Sequence, residues 1–229
     1  MRISGFQKMT LLDFPGKVAA TVFTYGCNLR CPFCHNASLV VGKNDVSYNE
    51  DEILSYLSKR QGLLDGVCIT GGEPLLQPDI SDFIKKIKAL GYAVKLDTNG
   101  CYPEKLKELV SGRLVDYVAM DIKNCFAKYS ETVGIKNFDV SPIKESVAFL
   151  ISSGIDFEFR TTVVKELHTV ENIKALAADI KGAKKYFLQN FVDSGDIIGK
   201  DLNAHDKPVL EQMKAEAEKT LDIVEIRGI

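Results

Sequence analysis

Residues 18–36 read VAATVFTYGCNLRCPFCHN, and this stretch decides both the fold class and the place of the chemistry. Its first eight residues, Val18 to Tyr25, form an apolar run rich in β-branched side chains, without the polar alternation of a half-exposed strand. They predict a strand buried on both faces, as strands of a parallel sheet are. A loop follows at once, residues 26–36, which packs Cys27, Cys31 and Cys34 into eight positions.

Comparable runs recur at 66–70 (GVCIT), 92–98 (YAVKLDT), 114–120 (LVDYVAM), 155–163 (IDFEFRTTV) and 185–191 (KYFLQNF), with 221–226 (LDIVEI) a candidate seventh. Helical periods fall between them. Ile80, Phe83, Ile84, Ile87 and Leu90 share one face ahead of a stop at Gly91, and Ile143, Val147, Leu150 and Ile151 repeat the pattern. Val170, Ile173, Leu176 and Ile180 do the same, and Val209, Leu210 and Met213 mark a more polar helix. With no linker, repeat or low-complexity break, this alternation predicts one α/β domain over residues 1–229.

Six strand-helix units are too few to close an eight-stranded barrel, which leaves an open, curved part of one or a doubly wound sheet. The polar motifs decide. The cysteines follow the first predicted strand, TGGEP (70–74) the second, DTNG (97–100) ends the third and MDIK (120–123) the fourth, Arg160 lies in the fifth, and Gln189 to Phe191 end the sixth. Carboxyl ends converge on one mouth only in a barrel-like sheet, so a partial (β/α)6 TIM-type barrel with an open parallel sheet is predicted.

Composition excludes several classes. A net charge of −2 over 229 residues gives no electrostatic footprint for nucleic acid or an anionic membrane. No apolar run approaches the ~20 residues of a membrane span, and MRISGFQKMT lacks the regions of a signal peptide, so a cytoplasmic protein is expected. Six cysteines in a reducing compartment serve as metal ligands or small buried apolar residues more readily than as disulfides.

CxxxCxxC offers three thiolates. A structural zinc site completed by His35 or a distant cysteine is one reading, although such sites usually bring two ligand pairs and no second pair is evident. Incidental burial of the three is another. The third is an iron-sulfur cluster, which normally takes four cysteines and here would find three.

With an aromatic before its last cysteine and GGEP some forty residues later, the motif resembles that of the radical S-adenosylmethionine superfamily. The resemblance implies one [4Fe-4S] cluster on Cys27, Cys31 and Cys34, its fourth iron chelated by S-adenosylmethionine, which one electron cleaves to methionine and a 5′-deoxyadenosyl radical. It places Gly71, Gly72 and Glu73 at the methionyl amino group. DTNG and MDIK extend the match to the glycyl-radical-enzyme activases. There Asp97, Thr98 and Asp121 would hold a monovalent cation beside the cosubstrate, Lys123 would meet the nucleoside and Arg160 the methionyl carboxylate, with Asn36 and Asn99 among the contacts. Taken alone, TGGEP is also a tight turn, DTNG an Asx turn, Asp121 a cap or surface acid and Arg160 a structural ion pair.

TLLDFPGK (10–17) is similar to the DGPG segment of the same activases, with Phe14 in place of a glycine, and carries Asp13 to the substrate side. In the sixth strand LQNF lacks the histidine of pyruvate formate-lyase activase, leaving Phe191 to stack on a base. The whole chain looks most like the short activating proteins of anaerobic ribonucleoside-triphosphate reductase, without a ferredoxin-like insertion between residues 35 and 66. The implied function is formation of a glycyl radical on that partner, with a flavodoxin- or ferredoxin-type donor. Activation of another glycyl-radical enzyme, radical chemistry on a small molecule and a zinc-binding interaction module are the alternatives. Cys68, Cys101 and Cys125 are read as structural, and His168 and His205 as surface residues of loops.

Overall fold

The computed structural model of the protein describes residues 1–42 and 48–228. They form two compact units, the first comprising Met1–Asn28, Ser38–Thr98 and Tyr102–Ala119, the second Leu29–Ala37, Asn99–Cys101 and Met120–Ile229.

In the first unit the strands are hydrogen-bonded in chain order: β1 (Ile3–Thr10), β2 (Ala19–Thr24), β3 (Gly66–Gly71), β4 (Ala93–Thr98) and the start of β5 (Tyr117–Asp121). β2, β3 and β4 are parallel, as their unbroken apolar runs predict. β1 is antiparallel to β2 and was not predicted. It has one hydrogen-bonded neighbour and is largely half-exposed, so ISGFQKMT carries neither an apolar run nor clean alternation. The short helix α1 (Ala37–Val40) follows the cysteine loop.

α2 (Glu50–Ser58), α3 (Ile80–Ala89) and α4 (Pro103–Ser111) complete the unit. α3 buries Ile80, Phe83, Ile84 and Ile87, the predicted face. α2 starts where the Asn49 side chain accepts the Asp51 N–H at 2.9 Å. With only Ile53 and Leu57 buried, its apolar stripe is too thin to announce it.

Register sets Ala19, Gly66 and Ala93 abreast at the amino ends of their strands. The Phe14 ring fills the space these small residues leave, packing on Ala19, Tyr117, Ala119 and Ala93, and a Cβ on Gly66 would lie 2.9 Å from it. The aromatic that departs from the resembled DGPG segment is therefore a core plug. Two residues along, Thr21, Cys68 and Lys95 stand abreast in the next row.

The second unit continues from the end of β5 through α5 (Tyr129–Thr132), α6 (Ser141–Ser153), β6 (Asp156–Val163), α7 (Val170–Asp179), β7 (Tyr186–Asn190), α8 (Lys207–Ala217) and β8 (Val224–Arg227). β6, β7 and β8 are parallel, so the candidate seventh strand forms. α6 ends at Gly154, whose φ of +76° suits a glycine stop. α7 opens on a capping box between Thr169 and Asn172. Arg227 fixes β8 through two hydrogen bonds to the buried Glu158, at 3.0 and 3.1 Å. The architecture is the α/β open parallel sheet expected, with an antiparallel strand added at β1. No helix among the described residues is long and apolar enough to cross a membrane.

Candidate active site

The loop 26–36 crosses from the first unit into the second after Asn28, with Cys27 on one side and Cys31 and Cys34 on the other. None of the six cysteines is joined in a disulfide. In the first unit, Gly26 holds the approach to Cys27: its N–H donates to the Leu39 carbonyl at 2.9 Å and its own carbonyl accepts from Glu73 N–H at 2.8 Å.

That second bond belongs to TGGEP. Gly72 N–H donates to the Thr24 carbonyl at 2.9 Å, so the turn leaving β3 lies directly against the exit of β2. A Cβ on Gly71 would sit 2.4 Å from Thr24 N, and one on Gly72 would sit 2.0 Å from Gly26 O. The glycines are needed here by neighbouring backbone. Glu73 is fully buried, and its Oε1 accepts from Leu75 N–H at 3.0 Å and from the Thr98 hydroxyl at 2.8 Å. Two of the predicted cosubstrate contacts thus join the GGEP turn to DTNG.

Asp97 pairs with the ammonium of Lys95. Asp13 is half-buried and its Oδ2 accepts from the Thr21 hydroxyl at 2.5 Å, which fixes it to β2.

In the second unit, Arg30 N–H donates to the Val133 carbonyl at 3.0 Å, Cys34 N–H to the Cys31 carbonyl at 3.1 Å, and Gly199 N–H to the Pro32 carbonyl at 2.7 Å. Cys31 is buried, Cys34 and Asn36 half-buried. Asn99 makes the Asx turn that its sequence allows, accepting Cys101 N–H at 3.0 Å. Phe191 is buried with its ring 5.5 Å from His35, a residue of the cysteine loop itself.

At the end of β5, Asp121 lies between two cations. Arg160 Nε donates to its Oδ1 at 2.9 Å and Lys123 Nζ to its Oδ2 at 3.0 Å. Burial would push the Asp121 carboxyl up, but the charges and hydrogen bonds of Arg160 and Lys123 hold it well below the usual carboxylate range. Burial likewise would lower Lys123, and is overridden by Asp121 and by the Cys31 and Cys34 thiolates, which raise it. The Lys123 ammonium, which also lies 6.0 Å over the ring of Phe33 in the same loop, thus sets its positive charge within electrostatic reach of Cys31 and Cys34.

The Radical SAM superfamily profile matches residues 21–180. The chain belongs to the radical SAM superfamily. A Methanocaldococcus jannaschii protein, named provisionally as a glycyl-radical enzyme activating enzyme, is 34% identical over 99% of this chain and 96% of its own length. The pyruvate formate-lyase-activating enzyme of Clostridium pasteurianum is 27% identical over 96% and 98%. The crystal structure of Streptococcus suis SuiB bound to precursor peptide SuiA shares the fold, with a TM-score of 0.71 and 16% identity over 90% of this chain and 47% of that one.

This radical SAM enzyme takes a [4Fe-4S] cluster and S-adenosylmethionine. The chemistry of its donor set suits the cluster: three cysteines within eight positions, none of them in a disulfide, two of them within electrostatic reach of the Lys123 cation. Asp121→Ala is expected to leave the iron content intact while raising the apparent KM for S-adenosylmethionine about tenfold. It should also cost about 2 kcal/mol of stability, because Arg160 and Lys123 lose their shared counter-charge. Iron analysis, kinetics and thermal unfolding of the one variant check all three.

The reading of His168 and His205 as surface residues is corrected. His168 is 1% exposed and spans two backbones, its Nδ1 accepting Val164 N–H at 3.0 Å and its Nε2 donating to the Lys123 carbonyl at 2.7 Å. His205 Nε2 donates to the His168 carbonyl at 2.9 Å, and Asn190 clasps the His205 backbone through two bonds of 3.1 Å. Val164 apart, which is four residues away, these partners are remote in sequence, and no motif reports them. Burial pushes the His168 imidazole down to about 4.

With its folded value depressed, His168 is protonated more readily in the unfolded chain. Stability is therefore lost as pH falls through 6.5, and the full loss of roughly 3 kcal/mol is reached below about 4. Thermal unfolding of the metal-free chain between pH 7.5 and 5 should show a falling midpoint, with a shallower slope in His168→Gln.

Proposed function

We propose that the protein is a glycyl-radical-enzyme activase that removes a backbone hydrogen from one glycine of a large partner, anaerobic ribonucleoside-triphosphate reductase. The observation that carries the activase part of this reading is length, while the reductase as partner follows the sequence resemblance of the chain to the short activating proteins of that enzyme. The chain and the two activating-enzyme relatives above span almost all of one another, so the resemblance extends beyond the cysteine motif to the segments after β6. Residues 1–229 act in this reading as one cytoplasmic catalytic domain, reduced by a flavodoxin- or ferredoxin-type donor.

Bound together, the cluster and S-adenosylmethionine supply a one-electron reductive cleavage that yields methionine and a 5′-deoxyadenosyl radical. The chain's own residues prepare the place for it. Cys27, Cys31 and Cys34 hold the cluster, and Lys123 offsets its charge beside Cys31 and Cys34. The Gly71–Glu73 turn presents backbone at the methionyl amino group, stiffened by the Glu73 bonds to Leu75 and Thr98. Arg160, oriented through its Nε by Asp121, meets the methionyl carboxylate.

The test mixes the reduced protein and S-adenosylmethionine with purified glycyl-radical enzymes under anaerobic conditions. The doublet electron paramagnetic resonance signal of a glycyl radical is expected on the reductase. A signal on pyruvate formate-lyase alone would reassign the partner, and cleavage of S-adenosylmethionine with no glycyl signal on any candidate would overturn the activase reading.

A further inference from the structure

The proposed function leaves unused a buried charge pair in the first unit. Lys95 lies in the middle of β4, in the row it shares with Thr21 and Cys68, and its side chain is only 3% exposed. Its ammonium is paired with Asp97, whose side chain is 14% exposed. Cys68 Sγ lies 3.8 Å from both Lys95 Nζ and Asp97 Oδ1, so the pair is walled by a polarizable neighbour. Strand alternation puts residues 95 and 97 on one face by construction.

A lysine so deeply buried costs several kcal/mol of desolvation unless a carboxylate offsets it, and Asp97 is that carboxylate. The same residue opens DTNG, where the family resemblance leads one to expect a monovalent metal ion. The donor set does not fit such an ion. Asp97 already has an ammonium, and in the second unit Asp121, the other expected carboxylate, already has Arg160 and Lys123. Within its own unit each carboxylate is already matched by a tethered cation, which weakens its pull on a further cation from water.

We propose that Lys95 is a built-in counter-ion: its ammonium holds Asp97 in place of a dissociable monovalent cation, so that the enzyme binds S-adenosylmethionine equally well with or without potassium or sodium. The proposal rests on the reading of Asp97 as facing the cosubstrate. Lys95 acts through Asp97 and is a positioning residue.

The experiment reads binding. Equilibrium dialysis of S-adenosylmethionine is run on the anaerobically reconstituted full chain, with tetramethylammonium as the only buffer cation, then with potassium added. The wild-type dissociation constant should stay within about twofold, while Lys95→Met should bind about tenfold more weakly in tetramethylammonium and recover with potassium. Iron content on the same samples separates loss of the cluster from loss of Asp97's positioning. A wild type that needs potassium, or a Lys95→Met variant that potassium does not restore, overturns the proposal. A wild type that carries its cluster yet binds no S-adenosylmethionine removes the reading beneath it. Should Lys95→Met fail to fold, Lys95→Met/Asp97→Asn removes both charges at once. Recovery of folding supports the pairing, and continued failure overturns it.

Discussion

Cys31→Ala is expected to abolish cleavage of S-adenosylmethionine under dithionite and to reduce the iron retained after anaerobic reconstitution from about four per chain to a small fraction of that. The substitution removes one of three thiolates and leaves the loop's backbone bonds in place, since Cys34 N–H donates to the Cys31 carbonyl, and that carbonyl survives the change. The chain should therefore fold and fail chemically. Cys68→Ala supplies the contrast: Cys68 is fully buried in β3, so it should keep its iron and lose only about 1–2 kcal/mol of stability. Unchanged 5′-deoxyadenosine production by Cys31→Ala would overturn the ligand assignment.

Gly72→Ala should be among the costliest single methyl groups in the first unit. The new Cβ would fall 2.0 Å from the Gly26 carbonyl oxygen, a contact with backbone on the partner side. Relief requires the turn to lift from β2, which stretches the 2.8 Å bond from Glu73 N–H to that same carbonyl and shifts both Glu73 and the residue preceding Cys27. A loss of about 3 kcal/mol follows from overpacking of this kind, or roughly 6–12 °C in unfolding midpoint for a chain of this size. Gly5→Ala is a useful comparison. There the new methyl would meet the Phe23 side chain at 3.2 Å, which can yield. Equal midpoints for the two variants would contradict this account of the GGEP turn.

Much of this was legible in the sequence because parallel strands advertise themselves. Unbroken apolar runs located β2 through β7 to within a few residues, and the polar motifs fell at their carboxyl ends, where α/β enzymes keep their chemistry. β1 was not legible, since an edge strand needs no buried face and ISGFQKMT carries no period. The cysteine motif named the family, and the comparisons agree. Side-chain partnerships were less accessible.

The resemblance placed the GGEP glycines at the methionyl amino group and gave no sign that a Cβ on either would meet the backbone of Thr24 or Gly26. The sequence reading took the histidines as surface residues of their loops, whereas His168 is buried and braces the backbone at Lys123 from forty-five residues away. Lys95 did leave a trace that went unread. A lysine inside an apolar strand, two places before an aspartate, sits on the aspartate's face, and a buried charge needs a partner there.

One measurement tests the central claim most directly: the low-temperature electron paramagnetic resonance spectrum of the reduced, reconstituted protein before and after addition of S-adenosylmethionine. If Cys27, Cys31 and Cys34 hold a cubane with one iron open to the cosubstrate, the reduced cluster signal will shift in g-values on addition, with about four irons per chain. A cluster signal that S-adenosylmethionine leaves unmoved, or a colourless protein holding a single zinc, would contradict it.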